Sequence, residues 1–317
     1  VVCMRVCVRV CACVGIILYL STGPVTAPEP RDRDAKRRIK IGYISPDLYR
    51  HVVVYFLLPA LRHHDRESVE VTLYSCGRKD DSFTSDLQLL ADHWVSVAEM
   101  SKEEAAARIR HDEIDILIDL AGHAAAGEGL VPLHVMALRP APIQVSWIGY
   151  PNTSGLDSVT HRITDAIVDP LDSTQIYSET LIRLPSCFLC FSPPQDLLEI
   201  QVKRDVASSR KGHVSFGSFN NISKLSPSCL RVWGRVLQAV PASILVLKAS
   251  FFNDPQIRAQ YTERFVDIAL DKNAVGFNFK SKNKLKQRLV LLPQTTSHQS
   301  HYAQYNDIDI GLDAFPY

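Results

Sequence analysis

The sequence predicts an α/β chain built as two parallel-sheet domains, and three observations carry that expectation. Short apolar, β-branched strands alternate with helical stretches, the pattern of parallel sheets covered on both faces. The pattern lapses over residues 191–212 (FSPPQDLLEIQVKRDVASSRKG) and then restarts, which marks an interdomain connection. A length of 317 residues with 46% hydrophobic content suffices for two ordinary cores.

Residues 1–20 are apolar, dotted with Arg5 and Arg9, and too short and interrupted for a membrane span; their composition also fits a signal-peptide hydrophobic region. The chain begins with Val1 and not Met, so this segment is read as the edge of a fragment, with no structural role expected. Residues 22–38, with PEPRDRDAKRR, read as an exposed linker, which makes 1–38 an N-terminal apolar segment plus charged linker. The first domain is expected over 39–190. Ile39–Ile44 alternates as a strand and ends at Ser45-Pro46-Asp47. A helix enters just after His51, apolar from Val52 to Leu61. Val69–Tyr74 is a second strand and Trp94–Val97 a third. Ser101 with Glu104 makes a capping box, two reciprocal side-chain to backbone bonds that start a helix through Ile109. Ile114–Leu120 is the clearest buried strand, followed by Ala121-Gly122-His123.

The stretch Arg139–Gly155 (RPAPIQVSWIGYPNTSG) is the centre of the reading. Ile143, Val145, Trp147 and Ile148 suit a short buried strand. Gly149 to Gly155 then break it with nearly every turn-forming residue type, at the end of a strand where open α/β sheets place ligands. Arg162–Thr164 and Leu181–Leu184 close the domain. A second, incomplete domain is expected over 213–317. His213–Phe219 is its first strand, and Ser226 caps a helix with Pro227 at the first position. Leu230, Trp233, Val236, Leu237 and Val240 share one face of that helix. Ile244–Leu247, Val290–Leu292 and Ile308–Leu312 are further strands, with a helix over 256–270 between the first two.

Lys plus Arg number 35 and Asp plus Glu 34, so no electrostatic argument for nucleic acid survives. Of eight cysteines, Cys3, Cys7, Cys11 and Cys13 crowd the first thirteen residues. Cys187 and Cys190 have redox or zinc spacing but sit in an apolar run, so buried, reduced cysteines and no bound metal are expected. No Walker loop and no dinucleotide glycine fingerprint is present, which disfavours a phosphate-loop kinase or a dehydrogenase.

Several segments together resemble the protein O-glycosyltransferases, the family of animal O-GlcNAc transferase and the plant Spindly proteins. They are Ile41–Asp47, Trp147–Gly155, Cys187–Cys190 and Phe216–Asn221, and they lean toward the Spindly branch. The likeness runs from about Ile39 to Tyr317. It implies two Rossmann-like domains facing a cleft, the GT-B arrangement, with the second domain truncated. It implies transfer of a sugar from a nucleotide-sugar to Ser or Thr hydroxyls of proteins, inverting and without a metal or other cofactor. The donor is UDP-GlcNAc or GDP-fucose. Cytoplasm and nucleus are the expected locations, with no membrane or nucleic-acid partner.

Direct displacement at a sugar carbon needs charge stabilisation at the leaving phosphate and removal of the acceptor's proton. By the resemblance, Lys224 contacts the diphosphate, Asn221 lies near the nucleotide, and His301 packs against the base. Ile148, Gly149, Tyr150 and Pro151 match the loop lining the sugar pocket. On sequence alone Lys224 reads rather as a solvated residue before a helix, and it is the motif match that turns the reading toward the diphosphate. His51 matches a histidine near the reacting centre and is either the general base or a helix-entry residue that orients the loop. The animal enzymes carry a second histidine four residues later, where this chain has Tyr55. Ala124–His134 and Asn273–Gln287 look longer than their counterparts and read as loops. Upstream helical repeats and a downstream threonine-rich loop are expected in a complete enzyme, so this chain alone is expected to be inactive. The alternative is a non-catalytic nucleotide-binding or protein-interaction module.

Overall fold

The computed structural model describes residues 37–125, 129–191, 211–270 and 282–315, together with positions 193, 197, 200–203, 205 and 209. The readings of residues 1–20 and of most of the linker lie outside these. The chain divides into two compact units between Pro193 and Pro194.

The first unit is a seven-stranded sheet of β1 (Ile39–Ser45), β2 (Val69–Ser75), β3 (His93–Ser96), β4 (Ile116–Asp119), β5 (Ile143–Ser146), β6 (His161–Asp165) and β7 (Thr180–Leu184). The order is β3-β2-β1-β4-β5-β6-β7, with every pair parallel. Ile41 and Tyr43 of β1 feed one apolar cluster with Ile116, Ile118 and Val145, whereas Ile44 feeds another with Tyr74 and Leu117. Successive strand side chains alternate between faces, so a strand buried on both must be apolar nearly throughout. β4 and β5 are buried at all four positions, and the Asp119 carboxylate and the Gln144 NH₂ group are matched by backbone groups.

Helices α1 (Val52–His63), α2 (Ser82–Leu90), α3 (Lys102–His111) and α4 (Pro132–Met136) accompany this sheet. The Ser101–Glu104 capping box forms as read, with Ser101 Oγ accepting from Glu104 N at 3.2 Å and the Glu104 carboxylate accepting from Ser101 N at 2.8 Å. Helix α2 carries only Thr84 and Leu87 as buried positions, too narrow a stripe to announce itself in sequence. Two loop expectations need correction. Pro132–His134 opens α4, where Leu133, Val135 and Met136 are buried, and Lys282–Lys286 forms α7 around buried Leu285.

The exposed-linker reading fails at its last two residues. Arg37 makes a bidentate pair with Asp115 at 2.7 Å, and Arg38 bonds Asp92 at 2.9 Å and the Val69 carbonyl at 2.8 Å. Fork-shaped guanidinium groups satisfy carboxylates and carbonyls left at the amino edge of the sheet. The cysteine expectation also splits: Cys190 is buried, its Sγ donating to the Phe56 carbonyl at 3.4 Å, but Cys187 is exposed. Strand β7 ends at Leu184, so nothing obliges Cys187 to face inward.

The second unit has four strands, β8 (Val214–Ser218), β9 (Ser243–Lys248), β10 (Leu289–Leu292) and β11 (Ile310–Gly311), in the order β10-β9-β8-β11 and all parallel. β11 is shorter than expected, although Asp309 N and Leu312 N still bond Ser215 O and Gly217 O at 2.9 and 2.8 Å. Helix α5 (Pro227–Ala239) is capped as read, Ser226 Oγ accepting from Cys229 N at 3.1 Å. It buries Cys229, Leu230, Trp233 and Leu237 against the sheet. Helices α6 (Pro255–Ala269) and α8 (His298–Ala303) complete the unit with α7. No helix among the described residues is long and apolar enough to cross a membrane.

Trp147 is 1% exposed and donates Nε1–H to the Phe188 carbonyl at 3.0 Å. Trp147→Phe keeps an aromatic ring but leaves that carbonyl unpartnered beside a small void. A loss on the order of 1–3 kcal/mol is expected in urea unfolding. An unchanged midpoint would show that this bond does not hold β5 to the segment after β7.

Candidate functional site

A cavity of about 340 Å³ opens in the first unit beyond the carboxyl ends of β1, β4 and β5. Asp47 and His51 come from the segment after β1, Leu120 and Ala121 from the end of β4, and Ile148 and Gly149 from the end of β5. β1 lies between β2 and β4, so the crevice falls where the strand order reverses, the place open α/β sheets bind ligands.

The β5 exit is shaped by close backbone approach. A Cβ on Gly149 would lie 2.1 Å from the Leu120 carbonyl oxygen, so no side chain fits. Ile148, just before it, has φ +69°, a left-handed conformation that crowds a β-branched side chain. Gly122 (φ +54°) packs under Tyr150, where a Cβ would meet Tyr150 Cβ at 2.4 Å. The loop after β4 is held by Asp119, whose carboxylate accepts from Ala121 N and Gly122 N, both at 2.9 Å. Burial pushes the Asp119 carboxyl up to about 6, and the two amide bonds oppose that rise.

Further clamps hold the loop after β5. Arg162 is 1% exposed and donates Nη1 to the carbonyls of Tyr150 and Asn152 at 2.8 and 2.9 Å. His123 donates Nε2–H to Ser154 O at 2.8 Å. Glu179 accepts from Ser154 N at 2.7 Å and Thr153 Oγ1 at 2.8 Å, and also from Ser154 Oγ. Burial works against the Glu179 charge, but these donated bonds outweigh it and hold the group below the usual carboxylate range.

His51 is the N-cap of α1, its Nδ1 accepting from Val53 N at 3.4 Å. The same nitrogen lies 3.8 Å from Asp47 Oδ2. Burial raises the Asp47 carboxyl, and the charges of His51 and Lys79 pull it back. Tyr55, at the position of the second family histidine, is spent on packing, edge-on to Phe83 at 5.6 Å and Phe191 at 6.5 Å.

Among the residues singled out from sequence, His51, Ile148 and Gly149 share this cavity. Tyr150 packs behind it on Gly122 and His123, and Pro151 is exposed and outside the lining. The other three lie in the second unit. Asn221 caps a 3₁₀ turn over Ile222–Lys224, its Oδ1 accepting from Ser223 N at 3.0 Å. Lys224 is part-exposed on that turn, two residues before the Ser226 cap of α5. His301 sits on α8, its Nδ1 bonded to Lys248 Nζ at 2.8 Å and its ring 5.7 Å from Phe219. Burial lowers its pKa, and so does the nearby Lys248 charge. The sequence reading missed Asp47, Asp119 and Lys248. The one available signal for Lys248 was a charge closing an otherwise apolar strand, Ser243–Lys248.

Two substitutions test this geometry. Gly149→Ala must displace the Leu120 backbone, so a destabilisation above about 2 kcal/mol is expected in denaturant unfolding; a neutral result would mean that the β4 and β5 exits do not touch. His51→Asn can still cap α1, whereas His51→Ala cannot. The alanine variant is expected to lose about 0.5–1 kcal/mol and the asparagine variant almost none. Equal losses would remove the capping role.

The sequence pattern of glycosyl transferase family 41 matches residues 9–215, reaching back well ahead of Ile39. The Arabidopsis thaliana protein SPINDLY, a probable UDP-N-acetylglucosamine–peptide N-acetylglucosaminyltransferase, is 39% identical over 289 residues, covering 90% of this chain and 29% of that protein. The Arabidopsis thaliana protein SEC, of the same description, is 33% identical over 232 residues, 71% of this chain and 23% of that protein. A solved structure of a lysine-to-methionine mutant of Thermobaculum terrenum O-GlcNAc transferase superposes with a TM-score of 0.78 at 34% identity, covering 93% of this chain and 51% of that one. This chain thus spans under a third of the length of these curated relatives. With two parallel α/β sheets and a family match over most of its length, the chain belongs to glycosyl transferase family 41.

Proposed function

We propose that this chain is catalytic machinery of a protein O-glycosyltransferase, which moves a sugar from a nucleotide-sugar to Ser or Thr hydroxyls of cytoplasmic and nuclear proteins. The observation that carries the reading is the cavity at the β1/β4 reversal, walled by His51 and by the strained Ile148–Gly149 exit, in a chain of this family. UDP-GlcNAc is the donor named for the relatives, and GDP-fucose is the alternative that the Spindly resemblance brings.

In this reading the displacement inverts the anomeric carbon, the acceptor hydroxyl loses a proton and the departing diphosphate gains charge. The Val53 bond calls for a lone pair on His51 Nδ1, which leaves the proton of a neutral ring on Nε2. A proton taken up at Nδ1 would give an imidazolium facing the Asp47 carboxylate 3.8 Å away, which would stabilise that charge. Base and cap are therefore alternative uses of one nitrogen. Lys224, beside the amino end of α5, would supply the positive charge at the diphosphate without a metal. Asn221 would hold the turn that carries it.

Lys224→Met removes that charge and keeps a long side chain. In a protein carrying the regions its relatives have beyond this chain, transfer to a peptide acceptor is expected to fall roughly a hundredfold or more with whichever donor is used. Both UDP-GlcNAc and GDP-fucose should be assayed. Unchanged turnover would make Lys224 a solvated residue. Nucleotide binding with no transfer from either donor would favour the non-catalytic module.

A further inference from the structure

Two cations beside the cavity of the first unit are held by aromatic rings and not by acids. Lys79, in the connection between β2 and α2, is exposed, and its Nζ lies 4.9 Å over the Tyr49 ring. Arg50, exposed between Tyr49 and His51, places its guanidinium 4.9 Å over the Phe83 ring of α2. Among the described residues neither head group forms an ion pair, and Asp80, next to Lys79 in sequence, forms none either. Asp81 is spent on backbone, accepting from Phe83 N and Arg50 N, both at 2.8 Å. Four other arginines of this unit, Arg38, Arg66, Arg78 and Arg108, sit on carboxylates at 2.9, 2.6, 2.7 and 2.9 Å, so the pair beside the cavity is the exception to be explained.

A carboxylate partner cancels a cation's charge, whereas a ring face holds the cation in place and leaves the charge to be used. Tyr49 lines the cavity together with Asp47 and His51, and its ring lies 5.8 Å from the His51 ring. The same ring carries Lys79. Burial raises the Asp47 carboxyl, and Lys79 is one of the two charges that oppose the rise, so its field reaches into the cavity. The two ring separations put Lys79 Nζ within about 11 Å of the His51 ring, the span of about three extended residues.

We propose that Lys79 and Arg50 select acceptor segments carrying an acidic side chain within about three residues of the hydroxyl to be modified. The proposal rests on the protein-acceptor reading of the cavity and adds the acceptor's chemistry to it. An acceptor hydroxyl brought to His51 sets its neighbours beside the Tyr49 ring. A carboxylate there meets a cation that has no other anion to leave. An amide side chain gains no such pairing, and Lys or Arg meets like charge. Exposure keeps each pair weak, so selection comes from the two cations acting together and fades with salt.

The test measures binding to the full chain by fluorescence anisotropy, using labelled peptides with a single Ser flanked by Glu, by Gln or by Lys. At low salt the parent is expected to bind the Glu peptides about fivefold more tightly than the Gln peptides, and the gap is expected to close in about 0.5 M salt. Lys79→Met with Arg50→Met is expected to bring the preference below about twofold. Lys79→Glu with Arg50→Glu is expected to turn it toward the Lys peptides. Both side chains are exposed and the Arg50 bond to Asp81 is made by backbone, so either pair of substitutions leaves the fold's contacts in place. Lys282→Glu, on the exposed α7 of the second unit, changes net charge as much as the methionine pair does and is expected to keep the preference. Loss of preference in Lys282→Glu would make it a bulk charge effect and overturn the proposal, as would a preference that survives the methionine pair. Equal binding of the Glu and Gln peptides by the parent would overturn the proposal and leave the acceptor reading standing. Binding of none of the peptides would overturn both.

Discussion

The contact between Gly149 and the Leu120 carbonyl is the constraint on which the first unit's pocket depends. Two neighbouring parallel strands, β4 and β5, leave the sheet side by side, and their exits touch at a distance that excludes any Cβ. Gly149 fits there, and Ile148 must then turn through φ +69°. A left-handed β-branched residue costs about 1–3 kcal/mol, and such strain persists only where the surroundings over-determine it. Arg162, Glu179 and His123 pin the carbonyls and amides from Tyr150 to Ser154, and Asp119 pins the loop opposite. The loops behind the Ile148–Gly149 edge of the cavity are thus held through their backbone.

The same sheet logic explains where the polar chemistry collects. A charge on a strand buried on both faces must be matched by partners, and two such charges stand where strands end. Asp119 is the last residue of β4, and Lys248 the last of β9. Each is closed off from solvent, and each is matched by neutral partners: two backbone amides for the carboxylate, and three side-chain acceptors for the ammonium. A buried charge satisfied by neutral dipoles holds its partners in one hydrogen-bonding state. In the first unit the carboxylate holds a loop, and in the second the ammonium gathers His301 Nδ1, Gln304 Oε1 and Thr295 Oγ1 around it.

Much of this was legible in sequence because binary pattern and cap chemistry are local. The Ser101 box and the Ser226–Pro227 helix start formed as read, and the expected strands formed with β11 shortened to Ile310–Gly311. Helix α2 was not legible, since Thr84 and Leu87 alone give no apolar face. Arg37 and Arg38 looked like linker charge because their partners, Asp115 and Asp92, lie more than fifty positions away. At the site, turn residues and family likeness led to Ile148, Gly149 and His51. The clamps did not show, because Arg162 and Glu179 sit on strands β6 and β7 or at their edges, where their polarity carries no address.

Three histidines show what kind of information tertiary structure adds. His64 Nε2 meets Tyr43 Oη at 2.8 Å in a buried setting, and desolvation drives its pKa down to about 4. His301 gives its Nδ1 lone pair to an ammonium and is held neutral from outside. His51 gives the same nitrogen to a backbone amide at 3.4 Å, a bond near the limit of hydrogen-bonding length, with Asp47 waiting beside it. The side chain is identical in all three, and its chemistry follows from the partner of one ring nitrogen. The weakest of these bonds is the one in the cavity. Short bonds at His64 and His301 hold those rings tightly to one partner each, whereas the bond at His51 is the longest of the three and leaves its ring the least constrained by that partner.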